Sequence, residues 1–219
     1  MSGRQPFPAV TNRLVVVGAV LWVLSVLFFV DQAIAQAASA RPFSLATNLI
    51  SDLGNTACGP AVCSPLHAFV NATFVGVGLC HALGAAATYR AWPRVRGSAI
   101  GVVLLAVAGA GLIVAGLAPE NVAPAVHRDG ALIGLIAMNV AMLRLGWAAV
   151  PDRRWLGVLL LGAGIAGFVG LALFLAGTVL PVGLAERLAD YPGTAMVVVL
   201  GAFLLVSAVA DRWGPARSI

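Results

Sequence analysis

Charged side chains are scarce in this chain, and lysine is absent from it. Aspartate, glutamate, lysine and arginine make up 10% of the 219 residues, whereas a soluble domain carries about 25% because these groups cover its water-facing surface. Hydrophobic residues account for 61%, and the mean hydropathy is +0.99. So few charges exclude a soluble enzyme, a disordered chain and a nucleic-acid-binding protein. We therefore predict an integral membrane protein.

Six apolar stretches predict an all-α bundle of transmembrane helices in one domain. Each stretch has about 20–25 residues, enough to cross a hydrocarbon core of about 30 Å at 1.5 Å per residue. Helices are expected because a backbone in lipid must satisfy its own hydrogen bonds. We interpret the first stretch as a retained span and not as a cleaved signal peptide. The predicted spans are 14–38, 64–88, 98–118, 128–150, 155–180 and 194–211 of the single domain 1–219.

The net charge of +5 arises from 13 arginines, and their positions predict the orientation in the membrane. No basic run is long enough for a nucleic-acid-binding patch, and cytoplasmic loops of membrane proteins carry an excess of basic residues. Both termini are therefore predicted to be cytoplasmic, in a multi-pass protein of the bacterial plasma membrane. Ten arginines fall on the side of the termini: Arg4, Arg13, Arg90, Arg94, Arg96, Arg144, Arg153, Arg154, Arg212 and Arg217. The opposite loops hold Arg41, Arg128 and Arg187.

The connection between spans 1 and 2 is the one long loop, at residues 39–63. Loops of this length without regular structure usually carry function. We expect it to lie outside the cytoplasm and to fold over the helix ends as a cap, with a short helix within 44–53. Its two cysteines, Cys58 and Cys63, are predicted to form a disulfide in that oxidising setting. The alternative is a metal site that combines both thiolates with His67.

Polar and ionisable side chains cluster near the outer ends of the predicted spans. Such groups are costly in lipid, so their clustering indicates function. We expect the cap loop and spans 2 and 4 to bring them into a single outward-facing pocket. The candidates are Asn48, Ser51, Asp52, Ser64, His67, Asn71, Glu120, His127 and Asp129.

These residue types suit either metal binding or acid–base chemistry. His67 and His127 are predicted to act as metal ligands, with zinc as the ion, or as general bases. Asp52 and Glu120 would complete the metal shell or orient the histidines, and Ser51 is a candidate nucleophile. Ser64, Asn71, Asp129 and Asn48 would bind the substrate or hold the loop. The competing interpretation is a set of polar residues that only tie down the loop.

A second histidine pattern leaves haem as a minor alternative. His67 and His81 lie fourteen residues apart on one predicted face of span 2, which is typical of membrane cytochromes that stack two haems. A partner ligand for His81 is lacking apart from Met138 or Met142. The simpler interpretation of His81 is a hydrogen bond to Asn139 or to a carbonyl of a neighbouring helix.

Two segments resemble a known bacterial family. The first is the run from Asn48 to Gly59 with the run from Cys63 to Phe74, and the second is the run from Gly116 to Glu120 followed by His127 to Ala131. Both resemble signatures of the domain-of-unknown-function family 998, in its actinobacterial branch, over roughly residues 10–212. The usual Phe of the second signature is Ala118 here. The resemblance implies a six-helix membrane protein and supplies no activity.

The combined expectation is a membrane-embedded site for a lipid or a lipid-linked headgroup, acting by hydrolysis or group transfer. The competing class is a non-enzymatic protein that binds or flips lipid or helps to assemble a membrane complex. Membrane lipids are the expected partners in either case, with a homo-oligomer or a membrane-protein partner as further expectations and no nucleic acid.

Overall fold

The computed structural model describes residues 12–60, 62–89, 92 and 97–213, except for the side chains of 209–213. This part of the chain is helical and contains no strand. A 3-10 helix, Ser51–Gly54, lies in the long connection before α3. The α-helices are α1 (Arg13–Leu24), α2 (Leu27–Ala37), α3 (His67–Thr88), α4 (Ser98–Leu117), α5 (Pro124–Ala149), α6 (Arg154–Ala176) and α7 (Val182–Trp213).

Six helical segments are long and apolar enough to cross a membrane, which confirms the predicted fold class and a multi-pass membrane protein. The first of them, Arg13–Ala37, contains α1 and α2. Between α1 and α2, the backbone N–H groups of Ser25 and Val26 each donate a hydrogen bond to the carbonyl three residues earlier. These bonds keep the backbone paired through the irregular turn, as a hydrocarbon environment requires.

α7 starts about three turns before the span predicted from the sequence, at Val182 instead of residue 194. It continues through Pro192, which lacks a backbone donor. One turn earlier, the Asn139 side-chain amide of α5 donates to the Ala189 carbonyl at 3.3 Å. Hydrogen bonds from neighbouring helices are one reason why membrane helices tolerate proline. The early start carries two acidic residues into the membrane-spanning segment.

The six spans form a closed ring around the polar residues described below. α1 contacts α3 and α7, and the remaining neighbours follow in chain order from α3 to α7. Buried apolar side chains such as Trp22, Met142 and Leu200 fill much of the interior. Large apolar side chains such as Leu14 and Ile165 remain exposed on the outside. A lipid environment would cover these exposed faces.

Glycines allow α4 to approach both of its neighbours closely. A Cβ added at Gly78 of α3 would lie 2.5 Å from the carbonyl oxygen of Gly109. A Cβ at Gly111 would lie 2.6 Å from the carbonyl oxygen of Gly130 in α5. Small residues at helix contacts strengthen packing in membranes because they bring the backbones together.

The membrane orientation of the bundle stays a prediction. Arg4, Arg90, Arg94, Arg96 and Arg217 lie outside the described residues, as does the side chain of Arg212. These are six of the ten arginines on which the prediction of cytoplasmic termini depends. Below, the end of the bundle that carries the long α2–α3 connection is called the loop end.

Candidate functional site

Two adjoining pockets lie inside the ring beside the 3-10 helix. The loop-end pocket has a volume of about 500 Å³, and the narrower inner chamber has a volume of about 70 Å³. From His127 the inner chamber extends along α5 to Met138, roughly 16 Å by helical rise. Both pockets are lined by Ser51, His127, Ala131, Leu135 and Glu186.

Ser51 lines both pockets because a network of hydrogen bonds holds the 3-10 helix in place. Ser51 is the first residue of that helix and is only 7% exposed. The Asp52 carboxylate accepts from the Leu49 backbone N–H at 2.8 Å and from the Asn48 side-chain amide at 3.3 Å. The Asn48 side-chain oxygen in turn accepts from the Ser44 backbone N–H at 2.9 Å. Asp52 and Asn48 therefore shape the turn that presents Ser51, and neither lines a pocket.

The other end of the 3-10 helix is fastened to α3. The Asn71 side-chain amide donates to the Gly54 carbonyl at 2.8 Å. A Cβ on Gly54 would clash with the Asn71 side-chain oxygen, so a larger residue there would displace the Asn71 amide. Leu53 is buried beside Phe74 in a second apolar cluster. The predicted substrate-binding residue Asn71 is thus a hydrogen-bond partner of the loop.

The start of α7 holds the same loop from a third direction. The Glu186 carboxylate accepts a hydrogen bond from the backbone N–H of Ile50, the residue before Ser51. The Arg187 guanidinium donates to the carbonyls of Leu45 at 3.0 Å and of Asn48 at 2.8 Å. The predicted cap loop therefore packs onto the bundle, with α7 as its main anchor. The short helix expected within 44–53 exists only as the 3-10 helix, preceded by a turn.

His127 is oriented by two backbone carbonyls at the end of α4. Its Nδ1 lies 3.1 Å from the Ala115 oxygen and 3.0 Å from the Ala118 oxygen. Carbonyl oxygens only accept hydrogen bonds, so Nδ1 must carry the proton. The neutral imidazole then has its lone pair on Nε2, and the side chain, 8% exposed, lines both pockets. This tautomer can accept a proton at Nε2.

Glu120 and Arg128 bring opposite charges to the loop-end pocket, which both residues line. One carboxylate oxygen of Glu120 is buried and has no hydrogen-bond partner among the described residues. Arg128 forms an ion pair with Asp129 at 3.3 Å, and both side chains are largely exposed. Asp129, predicted to hold substrate or loop, thus lies at the surface beside this pocket.

His67 and Ser64 lie where the connection enters α3. The Nδ1 atom of His67 lies 2.9 Å from the Ser64 carbonyl oxygen, and the His67 side chain lines neither pocket. The Ser64 hydroxyl is buried and has no partner among the described atoms. The local geometry therefore gives His67 a role at the helix start, and its predicted catalytic or metal-binding role stays a prediction.

Four polar side chains of the inner chamber were not among the sequence candidates. Glu186, Asp190 and Thr194 line it from α7, and His81 lines it from α3. The α7 residues follow a four-residue spacing that places them on one helical face. That spacing was the available signal, but the predicted span began only at residue 194.

Among the described residues, His81 has no hydrogen-bond partner at either ring nitrogen, and its side chain is 1% exposed. The structure therefore lacks the predicted bond to Asn139 or to a carbonyl. The Asn139 amide instead donates to Ala189. An unpaired polar group is costly to bury, so His81 is a candidate for contact with a bound molecule.

Cys58 and Cys63 form the disulfide predicted from the sequence, with Cα atoms 4.2 Å apart. The Ser39 hydroxyl donates to the Cys63 carbonyl at 3.3 Å, and the Ala40 backbone N–H donates to the same oxygen at 3.0 Å. The disulfide therefore lies where the connection leaves α2 and returns toward α3. Cys80, in α3, is not part of a disulfide.

The described residues include no group of three or more His, Cys, Asp or Glu side chains that could hold a metal ion. The predicted zinc site would combine His67 and His127 with nearby carboxylates, and the described residues contain no such group of ligands. His67 lines neither pocket, and the nearest carboxylate of the loop, Asp52, bonds to its own turn.

The chain was compared with known families, curated proteins and solved structures. The profile of a family described as a protein of unknown function (DUF998) matches residues 16–203. No curated protein and no solved structure gives a significant match. The matched region contains every pocket residue described above, four of the six spans in full and most of the first and the last, and this confirms the resemblance seen in the sequence. The chain is therefore a member of the DUF998 family.

Proposed function

We propose that this protein hydrolyses a membrane lipid or lipid-linked molecule, or transfers its headgroup or acyl group, in the loop-end pocket. The observation that carries the proposal is the shared lining of the two pockets. A buried serine, a histidine with a free Nε2 lone pair and a carboxylate line both pockets, next to apolar residues of the transmembrane bundle. An amphipathic ligand, with one apolar and one polar part, fits a pocket whose walls combine apolar residues with a few polar groups.

The shape of the loop-end pocket supports an amphipathic substrate. Leu132 and Leu135 of α5 and Phe174 and Leu175 of α6 form an apolar wall. Leu175 is 65% exposed on the outside of the bundle, so this wall reaches the lipid-facing surface. An acyl chain can lie against it while the polar headgroup extends toward Ser51. The pocket volume of about 500 Å³ falls in the range of small-molecule sites.

The proposed reaction uses Ser51 as nucleophile and His127 as general base. The Ser51 oxygen bonds to the electrophilic carbon or phosphorus of the substrate as His127 Nε2 accepts the hydroxyl proton. His127 then donates that proton to the departing oxygen. Water completes hydrolysis of the serine adduct, and an acceptor alcohol completes transfer. The Ala115 and Ala118 carbonyls take the orienting role that a carboxylate has in other triads.

A defined assay tests this proposal. The full chain is reconstituted in nanodiscs with a bacterial polar lipid extract, and mass spectrometry follows free fatty acids, diacylglycerol and released headgroups. Ser51→Ala should abolish product formation, whereas Ser207→Ala should retain it. Ser207 is a suitable control because its hydroxyl bonds only to the Phe203 carbonyl, toward the other end of α7. Absence of product with the unmodified chain, or equal rates with Ser51→Ala, would argue against the enzyme.

Lipid binding or flipping without turnover is the second candidate. It is favoured by the number of polar side chains whose hydrogen bonds hold the loop, among them Asp52, Asn71 and Arg187. In that case the nanodisc assay gives no product, while lipid co-purifies with the protein in a manner that depends on the pocket. Haem binding through His67 and His81 remains the minor alternative, and an absorbance spectrum of the purified protein tests it.

A further inference from the structure

The inner chamber is lined by two carboxyl groups, and neither forms an ion pair among the described residues. Glu186 and Asp190 contribute carboxylates one helical turn apart. Each accepts one hydrogen bond among the described residues, Glu186 from the Ile50 N–H and Asp190 from the Thr194 hydroxyl at 2.8 Å. A carboxylate has about four acceptor positions, so both retain the capacity to accept from a ligand.

The charged groups around this pair do not neutralise it. Glu120 lies near enough to Glu186 to add to the negative potential, and Arg187 lies near enough to oppose it. However, one guanidinium nitrogen of Arg187 donates to the three carbonyls of Leu45, Asn48 and Gly183. Arg187 therefore donates to the loop and to its own helix, and Arg128 is at the exposed mouth of the loop-end pocket. Three acidic groups thus face one nearby basic group.

An independent observation comes from the opposite wall of the inner chamber. The His81 side chain lines it, is 1% exposed and has both ring nitrogens unpaired. A neutral imidazole presents one acceptor nitrogen and one donor. A ligand that donates hydrogen bonds would satisfy the acceptor and remove part of the cost of burying this side chain.

Two aromatic side chains of the chamber wall also favour a cation. Phe28 and Phe74 line the chamber, with ring centroids 5.7 Å apart. Aromatic faces attract cations through their quadrupole, most strongly where water is excluded. The chamber volume of about 70 Å³ is several times the roughly 10–15 Å³ that a cavity needs to hold one water molecule, so a small polar group fits inside it. A terminal ammonium on a short carbon stem meets these requirements.

We propose that the inner chamber binds the protonated amine of an amphipathic ligand, with Glu186 and Asp190 as counter-charges and His81 as a hydrogen-bond partner. This deepens the proposed function, because it specifies an amine-bearing headgroup for the lipid in the loop-end pocket. The shared residues Ser51 and His127 lie between the apolar wall and the amine, near the bonds that link headgroup to acyl chains. The same chemistry admits a free amine, and the experiment separates the two sources.

The test measures lipid selectivity independently of turnover. The full chain carrying Ser51→Ala is reconstituted in nanodiscs with equal amounts of phosphatidylethanolamine and phosphatidylglycerol, and native mass spectrometry counts the lipids that remain bound. We expect several-fold retention of phosphatidylethanolamine over phosphatidylglycerol. N-acetylation of the ethanolamine should remove that preference. Added ethanolamine displaces the lipid only if the free amine is sufficient for binding.

Variants identify the chamber as the source of the preference. Asp190→Asn keeps the size of the side chain and an oxygen for Thr194 but removes one charge, so the several-fold preference should largely disappear. Asp152→Asn removes an exposed carboxylate at a distant turn and should leave the preference unchanged. His81→Gln provides a second variant and should weaken retention without a change of charge, which covers the case in which Asp190→Asn fails to fold.

Two results would overturn the amine site. One is equal retention of the two lipids by the chain that carries Ser51→Ala alone. The other is an undiminished preference for phosphatidylethanolamine in both Asp190→Asn and His81→Gln. The two proposals fail separately. A chain that turns over lipid without amine selectivity overturns the amine site alone, whereas amine selectivity in a chain that never forms product overturns the proposed reaction alone.

Discussion

The Glu186 carboxylate of α7 accepts a hydrogen bond from the Ile50 backbone N–H, although the two residues lie 136 positions apart in the chain. Ile50 directly precedes Ser51, so this bond couples the last transmembrane helix to the position of the proposed nucleophile. The same carboxylate lines both pockets. The Glu186 side chain therefore both holds the loop in place and contributes a carboxylate to the site.

Glu186→Ala should destabilise the loop end because it leaves a part-buried N–H without its acceptor. The expected loss is about 1–3 kcal/mol of folding free energy. Glu186→Gln keeps an acceptor oxygen and should lose less. Thermal unfolding in detergent measures the difference, and limited proteolysis should show faster cleavage of the α2–α3 connection in Glu186→Ala alone. Equal stability and equal cleavage of the two variants would contradict this role.

Ser51 should react with an alkyl fluorophosphonate probe. The serine oxygen forms a bond to phosphorus, fluoride leaves, and the hydroxyl proton passes to His127 Nε2. Peptide mass spectrometry should locate the label on Ser51, and Ser207→Ala should label as well as the unmodified chain. His127→Ala should slow labelling by about 10²–10⁴-fold, the usual contribution of a general base. Labelling of Ser51 that is insensitive to His127→Ala would remove His127 from the mechanism.

The disulfide should stabilise the connection by a modest amount. Its cysteines, Cys58 and Cys63, are separated by five positions, and closure of so short a loop is worth about 2 kcal/mol in the chain-entropy account. The double variant Cys58→Ser with Cys63→Ser should therefore unfold at a lower temperature. A reducing agent should lower the unfolding temperature of the unmodified chain and leave that of the variant unchanged. A maleimide reagent applied to the unfolded, unreduced chain should label only Cys80.

Gly78→Ala should weaken the contact between α3 and α4. A Cβ at this position would lie 2.5 Å from the Gly109 carbonyl oxygen, a backbone atom that cannot move aside cheaply. Overpacking of this kind costs about 1–3 kcal/mol. Gly76→Ala is the matched control, because a Cβ there meets nothing within 4 Å. Unfolding temperatures of the two variants test the contrast, and a shift of similar size in both would contradict the packing argument.

Part of the candidate site could be read from the residue types alone. Ser51, Glu120 and His127 were predicted to line a common pocket near the helix ends, and they line the loop-end pocket. Asp52 and Asn71 belong to the same region, but their bonds to the Leu49 N–H and the Gly54 carbonyl make them supports of the loop. A polar residue near a pocket looks the same in a sequence whether it faces the cavity or the backbone.

The sequence by itself determined that this chain is a membrane protein with six spans, because too few charges and six long apolar stretches leave no soluble alternative. It also determined the disulfide, since Cys58 and Cys63 lie close together in one connection. Only the tertiary structure decided where α7 begins and which polar groups the chamber collects. The Asn139 amide donates to the Ala189 carbonyl, three residues before Pro192. Contacts between helices, which no local sequence pattern records, place Glu186, Asp190 and His81 around one cavity.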